Sequence, residues 1–466
     1  MSAGSPIRVG LVVDHPKRDL PGGAMLAHRL AAMGAASVLV PLYDQAVDVP
    51  LLGLNALVVN FARPVNIELV RGYATQGLPV FVLDTEGGIL AENGANAPPV
   101  LARYIRESGF CDLLAGYFFW GSRLHTAFLR DSGMPADRLH VTGCPRFDYT
   151  GPQWRELLAF PQSGHVLVNM NFTLVNPLFS RSPEEERAAL LMAGWRAEYI
   201  EGLLREMKHT HLGMLEAVEA LAQALPSQSF VVRPHPFENP NPYHSRYSSM
   251  PNVTVDGAGS VLNAIRPARC VLHLNCGTSV ESVMLGRLPV SVEYLNTPHL
   301  SGHSTLPSMI SYKANSPEAL LDVVRRADEI AASFDFAGPY DRFIKPWFHL
   351  DDGNAAERVA RVVVDAVRDR PRRGPSLAAS LASSRASSRP AQRAQALAAN
   401  VVGSRASSRL RDWLDPVRRE KRIDPVQLDR DLAALAAHVG RPAPFVAYAR
   451  HPLSGLPLAS VEVLPR

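Results

Sequence analysis

A succession of short apolar runs, each broken off by a polar or glycine-containing loop, limits this chain to few folds. Residues 7–13, 37–42, 56–60, 79–83, 113–120 and 140–143 read as buried strands. Residues 166–169, 229–232, 253–255, 270–274 and 288–292 continue the series. Helical patterns fall between them, near 65–75, 100–108, 122–129, 183–224 and 317–332. Gly22 and Gly23 precede another, through Met25, Leu26, Leu30 and Met33. Strands that are apolar throughout, alternating with helices across short loops, predict parallel sheets covered on both faces. The expectation is an α/β fold of two Rossmann-like, doubly wound domains facing a cleft. A closing helix at 353–367 carries Val359, Val362, Val363 and Ala366 at helical spacing. Ligands of such sheets bind outside the strand C-termini.

The reading divides the chain into an acceptor domain at 1–155, a nucleotide domain at 156–350 and a crossing helix at 351–370. An Ala/Ser/Arg-rich linker follows at 371–410, then a small tail at 411–466. The linker echoes itself (Ala382-Ser383-Ser384-Arg385, then Arg405-Ala406-Ser407-Ser408) and offers little apolar area against its ordering entropy. The tail holds a basic cluster, Arg418, Arg419, Lys421 and Arg422, read as a solvated face or as an attraction to anionic lipid at the inner membrane. The net charge of +4 is too small to imply nucleic acid. Four cysteines without a CxxC pair support neither a zinc site nor a disulfide framework, and a cytoplasmic protein is expected. No signal peptide is evident, and no uncharged apolar run reaches the ~18 residues of a spanning helix.

Two loops about 40 residues apart carry the strongest chemical signal. In the first, Arg233-Pro234-His235-Pro236-Phe237-Glu238 follows a strand. An arginine fork and an imidazole are apt donors to a phosphate leaving group, and the prolines stiffen the backbone around the histidine. In the second, Asn275-Cys276-Gly277-Thr278-Ser279-Val280-Glu281 reads as a strand end, a tight glycine turn and a helix start. Hydroxyls and free N–H groups there form a phosphate cradle needing no metal. Glu281 binds ribose hydroxyls or caps its own helix. In the first domain, Asp84-Thr85-Glu86-Gly87-Gly88 ends a strand. Either carboxylate suits a base for an acceptor hydroxyl or a nucleophile, with Glu86 preferred and Asp84 second. Asn60, Gly87 and Arg146 are candidate contacts to donor or acceptor, as are Asn169, Asn171 and Thr173. His15 reads as a structural or capping histidine. Walker A, HExxH and GxSxG motifs are absent from the sequence, no GxGxxG follows a first strand, and no DxD is read as holding a metal and a nucleotide-sugar diphosphate, which argues against kinases, dehydrogenases, metalloproteases and α/β-hydrolases.

Taken in order, five motifs resemble those of bacterial surface carbohydrate biosynthesis proteins. They are Asp84-Thr85-Glu86-Gly87, Gly143-Cys144-Pro145-Arg146-Phe147-Asp148, Asn169-Met170-Asn171-Phe172, Arg233-Pro234-His235-Pro236 and Asn275-Cys276-Gly277-Thr278-Ser279. Their arrangement is also similar to that of GT-B sialyltransferases and Kdo transferases. Thr85 departs from that pattern, which usually carries a second acidic residue there. The resemblance implies a metal-independent glycosyltransferase with no cofactor and a CMP-activated acidic sugar as donor. Its acceptor would be a surface glycan or glycolipid. Arg233 and His235 would bind the CMP phosphate, assisted by Thr278 and Ser279, while Glu86 or Asp84 acts on sugar or acceptor. Rival expectations are a CDP-alditol phosphotransferase, a UDP-sugar 2-epimerase and a catalytically silent assembly subunit.

Overall fold

The apolar runs form two separate sheets. The computed structural model describes residues 6–88, 97–161, 163–180, 182–192, 195–303, 305–348, 351–370, 374–380, 397–399, 403–414 and 416–466. They fall into two compact units: Met1–Gly88 with Ala97–Leu157 and Trp347–Arg466, and a second built on Leu158–Pro346.

In the first unit, β1 (Arg8–Val13), β2 (Ala36–Pro41), β3 (Ala56–Val59), β4 (Val80–Leu83), β5 (Leu114–Phe119) and β6 (Leu139–Val141) run parallel in the order β2-β1-β3-β4-β5-β6. The chain leaves β1 for β2 on one side, then crosses to β3 on the other. The topological switch point therefore lies between the C-terminal ends of β1 and β3.

The helix Pro16–Ala32 begins where His15 Nδ1 accepts the Lys17 N–H, so His15 is a cap. Gly22 and Gly23 lie inside this helix rather than before it. A Cβ on Gly22 would sit 2.9 Å from the backbone nitrogen of Arg146, so the glycine is what lets that loop approach. Ser122 is the first residue of its helix, and Gly121 stands at the cap. The closing helix Ala355–Val367 buries Val359, Ala360, Val363 and Val367. Asp148 caps it, accepting the N–H groups of Ala355 and Ala356 at 2.8 Å each. That contact gives the Gly143–Asp148 motif a structural task.

The segment read as a tail is part of this unit. β14 (Pro457–Leu464) lies antiparallel to β2 and pairs Val461 with Leu39, and β13 (Phe445–Arg450) lies outside it. Leu458, Val461 and Val463 are fully buried. Much of the expected linker lies outside the described residues, but Ser404–Leu414 is a helix. Its serines bond partners far away in sequence: Ser408 donates to the Asp44 carboxylate, while Ser404 accepts the Ala459 N–H at 2.7 Å. Buried hydroxyls satisfied by such partners replace the missing apolar area. The basic cluster is largely consumed inside the unit. Lys421 meets Asp14 at 2.8 Å, Arg422 pairs with Asp412, and Arg418 lies over the Tyr43 ring.

In the second unit, β7 (Val166–Asn169), β8 (Phe230–Arg233), β9 (Val253–Val255), β10 (Cys270–His273), β11 (Leu288–Ser291) and the short β12 (Tyr312–Lys313) are all parallel. Their order is β12-β11-β10-β7-β8-β9, with the switch point between β7 and β10. The long helical region is two helices, Pro183–Met192 and Ala197–Ala224. The second covers the sheet through Leu203, Met214, Val218 and Leu221.

Candidate functional sites at the two switch points

In the first unit, the ends of β1, β3 and β4 surround a pocket holding about 560 Å3 of empty space, its open mouth included. Leu11, Val13, Leu26 and Val58 make its walls, while Asn60, Asp84, Thr85, Trp120 and Arg146 supply polar groups. Asn60 is 2 % exposed, and neither atom of its amide has a hydrogen-bond partner. The Trp120 indole N–H is likewise buried and unpartnered. Each such group costs about 1–3 kcal/mol, a penalty relieved by a bound molecule. The Arg146 guanidinium lies 4.7 Å from the Phe147 ring centre and 5.3 Å from that of Trp120. A Cβ at Gly87 would come within 3.1 Å of the indole, so the double glycine seats the acidic loop against Trp120.

The two candidate carboxylates differ sharply. Asp84 is 3 % exposed and fully engaged. It pairs with Arg63 at 2.9 Å, accepts the Tyr117 hydroxyl at 3.1 Å and accepts the Glu86 N–H at 3.0 Å. It fixes the turn. Glu86 presents its side chain to solvent, 70 % exposed, with Arg18 at 3.7 Å. Burial of its surroundings raises its pKa; Arg18 opposes this and Asp84 adds to it. A carboxylate that is reachable and made more basic fits proton abstraction.

In the second unit, Asn169 ends β7 with its amide nitrogen buried and unpartnered. Across the switch point, the Ser279 hydroxyl is buried and unpartnered as well. Gly277 stands at φ −58° just before the helix, while Asn275 carries the left-handed backbone of this turn, at φ 49°. Its amide donates to Asn296 at 2.8 Å, while the Thr278 hydroxyl lies within reach of the Cys276 thiol. Asn171 and Thr173 are half-buried in the loop after β7.

On the neighbouring strand, His235 Nδ1 accepts the Phe237 N–H at 3.2 Å. The neutral ring therefore carries its proton on Nε2, a donor suited to a phosphate oxygen. Arg233 does not share this orientation. Its buried guanidinium donates to the carbonyls of Ala258, at 2.9 Å, and Gly259, and so holds the 256–259 loop. Burial lowers its pKa, countered by Asp256 and the buried Glu281. Glu238 also turns inward. Its carboxylate accepts the N–H groups of His235, at 2.6 Å, and Phe172, at 2.9 Å, and the Tyr243 hydroxyl at 2.8 Å. It thus ties the loop after β8 to the loop after β7. Spacing alone placed Arg233, Glu238 and Glu281 beside a ligand; the half-buried members are His235, Asn171, Thr173 and Gly277, while the Thr278 hydroxyl is buried and unpartnered.

Glu238 gives a pH prediction. Burial pushes its pKa up to about 7, against its hydrogen bonds. The folded state then binds more protons than the unfolded one between about pH 4.5 and 7, so stability falls as pH rises through that window. Melting curves from pH 4.5 to 7.5 are expected to fall more steeply for the wild type than for Glu238→Gln, which lacks this titration.

Residues the sequence reading passed over are Trp120, Arg18, Arg63 and Tyr117. Their only sequence signal is position: Trp120 at the end of an apolar run and Arg63 just past one. Among the described residues, no group of three or more His, Cys, Asp or Glu converges as metal ligands would.

No protein-family model matches the chain, and no curated protein does. Among solved structures, a variant of the wall teichoic acid polymerase TagF is similar at a TM-score of 0.50 and 11% identity, over 78% of this chain and 89% of the other. A putative UDP-N-acetylglucosamine 2-epimerase from Listeria monocytogenes is similar at 0.47 and 12% identity, over 80% of this chain and 100% of the other. The UDP-GlcNAc 2-epimerase from Neisseria meningitidis bound to UDP-GlcNAc is similar at 0.46 and 12%, over 78% and 100%. The likeness to TagF is one of fold. With the two doubly wound parallel sheets, it bears out the expected GT-B fold class.

Proposed function

We propose that the protein is a glycosyltransferase that moves a sugar from a nucleotide-activated donor to a glycan or glycolipid of the bacterial surface. The donor in this reading is a CMP-activated acidic sugar of the Kdo or sialic-acid type. One observation carries it: each doubly wound unit holds unpartnered buried polar side chains at its own switch point. They are Asn60 and Trp120 in the first unit, and Asn169 and Ser279 in the second. Two sites on two nucleotide-binding-type sheets match the two substrates of a transfer.

In this reading the second unit takes the donor. His235 donates through Nε2 to the departing phosphate, and Ser279 and Asn169 hold the nucleotide side. The first unit takes the acceptor. As the bond from the sugar to CMP oxygen breaks, the acceptor oxygen bonds to the sugar carbon and Glu86 receives its proton. No residue here needs a metal for these roles. Among the described residues, no helix is long and apolar enough to cross a membrane. The reading places the protein in the cytoplasm. If it meets the inner membrane, exposed Leu410 and Trp413, with Arg409 beside them, are the proposed contacts.

The fold likeness to TagF favours one second reading, transfer of an alditol phosphate from a CDP-alditol. Incubation with CMP-Kdo, CMP-sialic acid and CDP-glycerol separates the two. The proposal expects CMP release from a CMP-sugar in the presence of acceptor. Release from CDP-glycerol alone, with phosphate retained in the product, would move the assignment to the second reading.

A further inference from the structure

We propose that Lys421, delivered by the C-terminal segment, is a positioning residue for Glu86. The inference rests on the reading of Glu86 as the acceptor-activating carboxylate. A chain of charges joins the two residues within the first unit. Lys421 Nζ lies 2.8 Å from Asp14 Oδ1. The other oxygen of Asp14 takes Arg18 at 2.7 Å, and the same guanidinium reaches Glu86 at 3.7 Å. Arg18 also bonds Asp19 at 2.9 Å, and Asp19 in turn accepts the His15 N–H at 2.9 Å.

Three carboxylates thus compete for one guanidinium. Lys421 neutralises part of Asp14, which leaves Arg18 free to lean toward Glu86. The lysine is 6 % exposed, so the contact is built into the fold and is not a surface pairing. Its neighbour Glu420 adds a second tie, to Lys17 at 2.8 Å. The charged groups facing Glu86 are Arg18 and Arg63, which favour its ionised form, and Asp84 and Asp14, which oppose it. Removing the Lys421 charge strengthens Asp14 and draws Arg18 away, and both changes make Glu86 harder to ionise. A lysine 407 positions from Asp14 in sequence thereby sets the protonation of the candidate base, Glu86.

Carbodiimide-driven amidation of Glu86 in the full chain, read by peptide mass spectrometry across pH, tests the link without any donor. Its result therefore stands apart from that of the transferase reading. Lys421→Met is expected to raise the midpoint of Glu86 labelling by on the order of half a pH unit. Lys421→Arg is expected to keep the wild-type midpoint. Asp14→Asn, which removes the opposing charge, is expected to lower it, and serves if Lys421→Met does not fold. A folded Lys421→Met protein with an unchanged midpoint, or an Asp14→Asn protein whose midpoint stays or rises, overturns the proposal.

Discussion

Glu86→Gln is expected to lower the rate of sugar transfer about 100- to 10,000-fold, the range over which a positioned general base acts. The variant keeps the shape and removes the proton acceptor. Because the side chain is exposed, its melting temperature is expected to match the wild type, within about 0.5 kcal/mol of stability. Asp84→Ala separates the two acidic residues. That carboxylate is buried against Arg63, Tyr117 and the Glu86 backbone, so its loss leaves a cation without its partner. A destabilisation towards the lower end of about 3–5 kcal/mol is expected, since Arg63 keeps some solvent contact. Kinetics and thermal melts of both variants check the assignment. A Glu86→Gln enzyme with wild-type turnover would remove Glu86 from the chemistry.

His235→Ala is expected to cost about 100- to 1,000-fold in kcat, the usual effect of deleting one donor to developing negative charge. The fold should survive, because the ring is half-buried and its backbone N–H still bonds Glu238. His235→Gln restores a donor and should recover part of the rate. Arg233→Ala acts differently. Its guanidinium holds the carbonyls of Ala258 and Gly259, so stability falls and any kinetic loss follows from the loosened loop. Comparing urea midpoints with kcat across the three variants distinguishes a ligand contact from a brace. Equal stability losses in His235→Ala and Arg233→Ala would assign both residues to the scaffold.

The parallel sheets were legible because fully buried strands are apolar throughout. Val166–Asn169 and Val253–Val255 matched their expected ranges, and the other expected strands lie within a residue or two of theirs. β13 and β14 were not legible. Pro457–Leu464 mixes apolar residues with Ser460 and Glu462, and Glu462 finds Arg8 at 2.7 Å across the sheet. Nothing local records such a partner. The same limit governs the site. Strand ends located Asn60, Asn169, Glu86 and His235, since loops that follow parallel strands converge. Spacing does not say which way a side chain turns. Arg233 and Glu238 stand two residues before and three after His235, yet both face the protein interior, because backbone groups nearby needed a partner.

Calorimetric titration of the purified protein with CMP, CDP and UDP, beside His235→Ala, tests the central claim most directly. The account predicts that CMP binds and that the variant loses most of that affinity. Binding of UDP in preference to the cytidine nucleotides, or no nucleotide binding at all, would contradict it.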